Sequence, residues 1–152
     1  MKLNLGCGKN IKDPKEWVNA DCIKTDESVI IMDMDSEWPF KDDTFEGVVA
    51  SHSFEHGKEK LHIVEELWRV CKAGAKIHVI VPHPENPFFW QDPTHKLCWH
   101  VDNFDYFTPH YNWNYMSEAR FKVLKKEIKC FEITCSENGK PQTIEWRLEV
   151  IK

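Results

Sequence analysis

Residues 45–81 constrain the fold more than any other stretch of this chain. FEGVVAS, residues 45–51, is an apolar run of strand length. In KEKLHIVEELWRVCKAG, which follows, Leu61, Val64, Leu67, Trp68 and Cys71 fall at helical spacing on one face. Glu59, His62, Glu65, Glu66, Arg69 and Lys72 take the other sides, and Gly74 stands where a left-handed residue would end the helix. Ile77, Val79 and Val81 then alternate with Lys76, His78 and Ile80. Strand, helix and strand in this order make a right-handed βαβ crossover and a parallel strand pair. The chain is therefore α/β.

The remaining strands are read from alternation. Leu3 and Leu5 alternate with Lys2 and Asn4, and Val18 and Ala20 with Trp17, Asn19 and Asp21. Val29 to Ile31 leads into Met32-Asp33-Met34-Asp35. Near the end, Ile144, Trp146, Leu148 and Val150 alternate with Thr143, Glu145, Arg147 and Glu149. A strand around 122–135 precedes them and turns through Ser136-Glu137-Asn138-Gly139-Lys140-Pro141, whose Asn-Gly step signals a hairpin. Only about a dozen residues separate the first two strands, and fewer the next pair, where a parallel crossover usually carries a helix. Those helices are predicted to be missing. Strands covered on both faces would read as continuous apolar runs. These alternate, so one sheet face is predicted to be thinly covered: wet, roofed by the aromatic segment 88–115, or used in a homodimer contact.

A chain of 152 residues, 41% hydrophobic and 30% charged, fits one globular domain over 1–152. The formal charge of −5 argues against binding nucleic-acid backbones. MKLNLGCG enters a strand at once, with no secretory leader and no membrane-spanning run, so neither membrane nor secretion is expected. The six cysteines form no C-x-x-C pair and read as reduced thiols of a cytoplasmic protein.

Polar residues recur where the strands end. LNLGCG brings Gly6 and Gly8 to the end of the first strand, Asp21 ends the second, Asp33 follows the third, and Ser51-His52 ends the fourth. Ligands of open parallel sheets bind at that carboxyl edge. The pattern suits an adenosine-type ligand. Gly6 and Gly8 would let the backbone approach it, Asp21 would accept from ribose hydroxyls, and Asp33 with the Met34 amide would read the adenine edge. A nicotinamide dinucleotide is disfavoured, because the third glycine and the helix that receives a pyrophosphate are both missing.

LNLGCG, WVNADC, the D-x-x-x-x-W-P-F-x-D-D-T-F stretch from Asp33 to Phe45, ASHSFEH and ELWRVCKAGAKIHVIVPH occur in that order. Over roughly residues 2–83 the chain resembles the class I S-adenosylmethionine-dependent methyltransferases, and among them the small methyltransferase type 11 group. Gln91-Asp92-Pro93-Thr94-His95 is similar to a stretch of the same group. The resemblance implies a Rossmann-like, mainly parallel seven-stranded sheet in the order 3-2-1-4-5-7-6, the last strand antiparallel and some crossover helices trimmed. It implies S-adenosyl-L-methionine as cofactor, with Asn4, Leu5, Gly6, Cys7 and Gly8 under its methionine part. Asp21 with Cys22 would lie at the ribose, Asp33 and Met34 at the adenine, and Ser51 with His52 beside the amino group or sulfonium. The family usually has an acid where this chain has Asn4, and a third glycine where it has Asn10.

The aromatic segment at about 84–117 is expected to set the substrate. His52, His56, His83, Asp92 and His95 are candidates for a base near the acceptor, and His52, His56 and His95 are taken as the catalytic set. His83, Asp92, His95, Cys98 and His100 could bind zinc, but their spacing matches no tight zinc signature, and no metal is expected. The expected function is methyl transfer to a small-molecule acceptor, a sugar or another hydroxyl or amine. The alternative is a non-catalytic methyltransferase-like domain that binds a partner or the cofactor without turnover.

Overall fold

The computed structural model describes residues 1–130 and 141–152. The turn expected at 136–140 and the end of the strand before it lie outside the described residues. Seven strands form one sheet: β1 (Lys2–Leu5), β2 (Trp17–Asp21), β3 (Val29–Ile31), β4 (Phe45–Ser51), β5 (Cys71–Pro82), β6 (Arg120–Cys130) and β7 (Pro141–Ile151). Their order is β3-β2-β1-β4-β5-β7-β6, parallel from β3 to β5, with β7 antiparallel to both of its neighbours. Helix α1 (Lys60–Val70) joins β4 to β5, and a short helix α2 (Pro87–Gln91) follows β5. Among the described residues no helix is long and apolar enough to cross a membrane.

Helix α1 ends earlier than its apolar spacing suggests. Cys71 is already extended and pairs with Phe45, while Gly47 pairs with Lys76. The residues between form a bulge, and Gly74, at φ 76°, turns that bulge rather than capping the helix.

Parallel register places Leu3, Leu5, Ala20, Val48, Ala50, Ile77 and Val79 on one sheet face, and Trp146 and Leu148 join them across β7. Ile63, Val64, Leu67 and Val70 of α1 pack on that face. Trp99, Phe104 and Phe107, from the aromatic segment, extend the same layer over β7 and β6: Trp99 stacks on Phe104, and Phe104 meets Trp146 and Phe121 edge-on. The roof thus lies on the helix side. The opposite face carries Lys2, Asn4, Asn19, Val49, His78, Ile80 and Glu145, and among the described residues no crossover helix covers it. Polar ladders dress it instead, with His78 Nε2 3.2 Å from Glu145 and Lys76 paired with Glu149.

The β1–β2 connection replaces a crossover helix with side-chain amides. Asn19 accepts from the Lys12 amide and donates to the Lys12 carbonyl, both at 2.9 Å. Asn4 Nδ2 donates to the Asn10 carbonyl and to Asn19 Oδ1, both at 2.8 Å. Both asparagines are buried, and between them they satisfy backbone groups that a helix would have satisfied internally.

On the helix side, Glu66 and Arg69 of α1 clamp the loop before β4. Arg69 binds the Glu66 carboxylate through Nε and Nη2, at 2.7 and 2.8 Å, and also reaches the Phe40 and Trp38 carbonyls and Asp42. Glu66 accepts from the Trp38 amide at 2.6 Å, which seats the buried Trp38 ring over the helix. Burial alone would raise the Glu66 carboxyl. The bonds from Arg69 and Trp38 hold it below the usual carboxylate range.

Two outcomes are expected. Asn4→Asp, which restores the family's usual acid, removes the donor to Asn10 and sets a carboxylate against two oxygens. It should cost about 1–3 kcal/mol in chemical denaturation at neutral pH. Because the Glu66 pKa is depressed in the folded state, its contribution is full above the unfolded pKa and is lost as pH falls through the folded one. Glu66→Gln should therefore melt below the parent at pH 7, and the gap should narrow below about pH 4.

Candidate functional site

A cleft of about 740 Å³ opens at the carboxyl edge of β1, β2, β3 and β4, within the ordinary size range of small-molecule sites. Its floor is the loop after β1, where Gly6 and Gly8 have φ of 64° and 50°. A side chain at Gly6 would clash as well as strain, since an added Cβ would lie 2.2 Å from the Ser53 Cβ. Ser53 comes this close because His52, with φ 53°, turns the chain sharply at the end of β4. Above Gly8 the space is open, with nothing within 4 Å of an added Cβ.

Asp21 ties this loop to β2. Its Oδ2 accepts from the Gly8 amide at 2.8 Å and its Oδ1 from the Ile23 amide at 3.0 Å, while Thr25 donates to the Gly8 carbonyl. A carboxylate offers about four acceptor sites, so each oxygen keeps room for a ligand hydroxyl. Leu5, Asp21, Cys22, Asp33, Met34, His52 and His56 all line the cleft with the two glycines. Asn4, Cys7, Ser51 and His95 stand outside its wall. Asn4 is turned to the open sheet face and is spent on the loop, and Cys7 is buried. Burial first, and Asp21 second, push the Cys7 and Cys22 thiols up, which leaves both protonated at neutral pH.

The far wall joins the turn at Phe54–His56 to residues 94–96. The Lys96 and Leu97 amides both donate to the Glu55 carbonyl, at 2.7 and 3.0 Å. Thr94 and Lys96 thereby reach the cleft, and so does Lys58. His52 is half-exposed, its Nδ1 3.6 Å from Glu55 Oε1, and that carboxylate holds the imidazole above its ordinary value against the opposing effect of burial. The five residues first considered for zinc do not come together: among the described residues the compact group is Glu55, His56 and His95. Sequence reasoning passed over Glu55 and Ser53, although both lie within ASHSFEH. The available signal was an acid flanked by Phe54 and His56 in a short turn, whose burial only the fold reveals.

Residues 7–79 match the model of the methyltransferase domain family, type 11. No curated protein matches the chain by sequence. Among solved structures, it is similar to a SAM-dependent methyltransferase from Archaeoglobus fulgidus, at 16% identity and TM-score 0.66, over 97% of this chain and 85% of the other. An S-adenosylmethionine-dependent methyltransferase from Mesorhizobium loti aligns at 11% identity and TM-score 0.69, over 97% and 89%. The [4+2]-cyclase SpnF aligns at 12% identity and TM-score 0.66, over 99% and 75%. The cofactor of the matched family is S-adenosyl-L-methionine. The match over residues 7–79, from Cys7 in the glycine loop into β5, together with the seven-stranded order of the sheet, supports reading this chain as a class I S-adenosylmethionine-dependent methyltransferase of the type 11-like group.

Proposed function

We propose that the chain transfers a methyl group from S-adenosylmethionine to a hydroxyl or amine of a small molecule, a sugar among the candidates. The cleft over Gly6 and Gly8, with Asp21 gripping the loop beneath it, carries the reading. In this assignment Asp21 and Cys22 face the ribose, Asp33 and Met34 face the adenine, and the glycine loop lies under the methionine part. The sulfonium supplies an electrophilic methyl carbon, so the protein's task is alignment and removal of the acceptor's proton. His52 lines the cleft beside Glu55 and is the group assigned to take that proton. Residues 84–117, as part of one domain spanning 1–152, would close the acceptor end through Thr94 and Lys96.

A second reading, binding without turnover, draws support from the missing crossover helices. Calorimetry with S-adenosylmethionine and S-adenosylhomocysteine, followed by label transfer to hydroxyl and amine acceptors, separates the two. Methyl transfer predicts heat with both ligands and labelled product, with label transfer falling far more than affinity in His52→Asn. Affinity without transfer to any acceptor class supports the second reading, and no heat at millimolar ligand overturns both the cofactor assignment and the enzyme. Asp21→Ala frees the Gly8 and Ile23 amides and should weaken binding about 10- to 100-fold.

The open sheet face, with Val49 and Ile80 only partly covered, is proposed to pair two copies of the chain. Sedimentation at rising concentration should give a dimer that a charge at Ile80 disrupts. A monomer throughout rejects the pairing.

A further inference from the structure

The geometry points to a divalent transition-metal site on the far wall of the cleft, held by Glu55, His56 and His95. The first observation is a buried carboxyl group without a hydrogen bond. Glu55 is 1% exposed, and neither carboxylate oxygen has a hydrogen-bond partner. Its nearest histidine nitrogens, His52 Nδ1 at 3.6 Å and His95 Nε2 at 4.0 Å, are beyond hydrogen-bond reach. A carboxylate left so in a folded chain calls for a cation.

The second observation is the state of the two imidazoles. His95 Nδ1 lies 2.8 Å from the Phe89 carbonyl, which can only accept, so Nδ1 carries the proton. In the neutral ring Nε2 is then a bare lone pair. His56 Nδ1 lies 2.9 Å from Thr94 Oγ1, and that hydroxyl gives its proton to Asp92 Oδ1 at 2.6 Å. Thr94 must therefore accept from His56, which leaves His56 Nε2 bare as well. Metal-binding histidines are held in this way, the outer N–H fixed by a carbonyl or carboxylate so that the inner nitrogen faces the ion.

The ligand atoms of Glu55, His56 and His95 lie within 4.8 Å of one another. Around a zinc ion with bonds of about 2.0–2.2 Å, neighbouring donors sit about 3.3 Å apart, so side-chain rotations closing up to about 1.5 Å would complete the site. Two histidines and one carboxylate suit Zn²⁺, Co²⁺ or Fe²⁺ and leave coordination positions open. Asp92 Oδ2, 3.6 Å from His95 Nε2, is a fourth donor within reach. His56 and Thr94 line the cleft, so the open positions face it. On the reading of methyl transfer proposed above, they would take an oxygen of the acceptor and make its hydroxyl more acidic. No sequence signature marks the site because its ligands come from residues 55–56 and 95. The Lys96 and Leu97 amides on the Glu55 carbonyl bring the two stretches together.

The test is calorimetry and thermal melting of the chelator-stripped full chain with Zn²⁺, and the visible spectrum with Co²⁺, all without S-adenosylmethionine. The expected result is one equivalent of Zn²⁺ per chain, a melting point raised by the metal, and a Co²⁺ spectrum without thiolate charge transfer. Glu55→Gln and His95→Ala should each abolish the metal-dependent rise, and Thr94→Val should weaken binding about 10- to 100-fold. In metal-free buffer Glu55→Gln should melt no lower than the parent, which shows that the variant folds. Cys22→Ser and Cys98→Ser, which alter exposed thiols, should bind as the parent does. Binding that survives Glu55→Gln and His95→Ala, or no binding at micromolar Zn²⁺, overturns the site. Since these readouts need no methyl donor, failure of the transferase reading leaves them intact, and failure of the metal site leaves the calorimetry with S-adenosylmethionine unchanged.

Discussion

The pair Asn4 and Asn19 is the contact on which the rest of the binding edge depends. β1 and β2 lie side by side and parallel, and residues 6–16 must carry the chain back between them without a helix. A crossover of that length leaves backbone groups that no helical ladder satisfies. Asn19 pairs with both polar groups of Lys12 as another peptide would, and Asn4 pins Asn10 from below. The departure from the usual family motif at position 4 is thus tied to this contact, in which Asn10 takes part through its backbone carbonyl. An acid at position 4 could not donate to the Asn10 carbonyl, so the short loop and the amide belong together. With the loop held from the open face, Asp21 can hold its other end, and the two glycines keep their left-handed turns.

Two buried carboxylates show how differently the same charge is treated across the domain. Glu66 is surrounded by donors, the Arg69 guanidinium and the Trp38 amide, and serves to fasten a loop to α1. Glu55 is at least as deeply buried and has no donor at all. A structural role accounts for the first and for nothing about the second. The hydrogen bonds around Glu55 all involve its backbone carbonyl, which joins the turn after β4 to residues 96 and 97. Its carboxylate is left aimed at the histidines.

The strands and the positions of their ends could be read from alternation, because a half-covered sheet writes its two faces into successive residues, whereas their order rested on the family resemblance. Val48 and Ala50 sit against Leu3 and Leu5 as that pattern requires. The thin cover of one face was legible for the same reason. The side that the aromatic segment roofs was not, since Trp99 and Phe104 find their partners in Trp146 and Phe121, far along the chain. The end of α1 was misplaced because Gly74 serves a bulge as readily as a cap, and only pairing with β4 separates the two. At the site, the glycines and acids that end strands were visible because strand ends fix their place. Ser53 and Glu55 lie past the end of β4, and their placement depends on the left-handed turn at His52.

One-sided cover also explains where the cleft gets its walls. In a sheet dressed with helices on both faces, crossover helices would flank the carboxyl edge. Here the loops after β1, β2 and β3 carry no helix and themselves line the cleft on their side. The opposite wall comes from the chain that leaves β5, forms α2 and returns at Thr94 and Lys96 beside the turn after β4. The wall is fastened by backbone bonds to Glu55 and by the packing of His95 against His56, edge-on, and Phe89, tilted, whose ring centroids lie 4.9 and 5.0 Å away. Residues that trim the fold on one side and residues that build the wall on the other therefore answer the same need. A small domain must enclose a ligand at a sheet edge that its shortest loops cannot enclose.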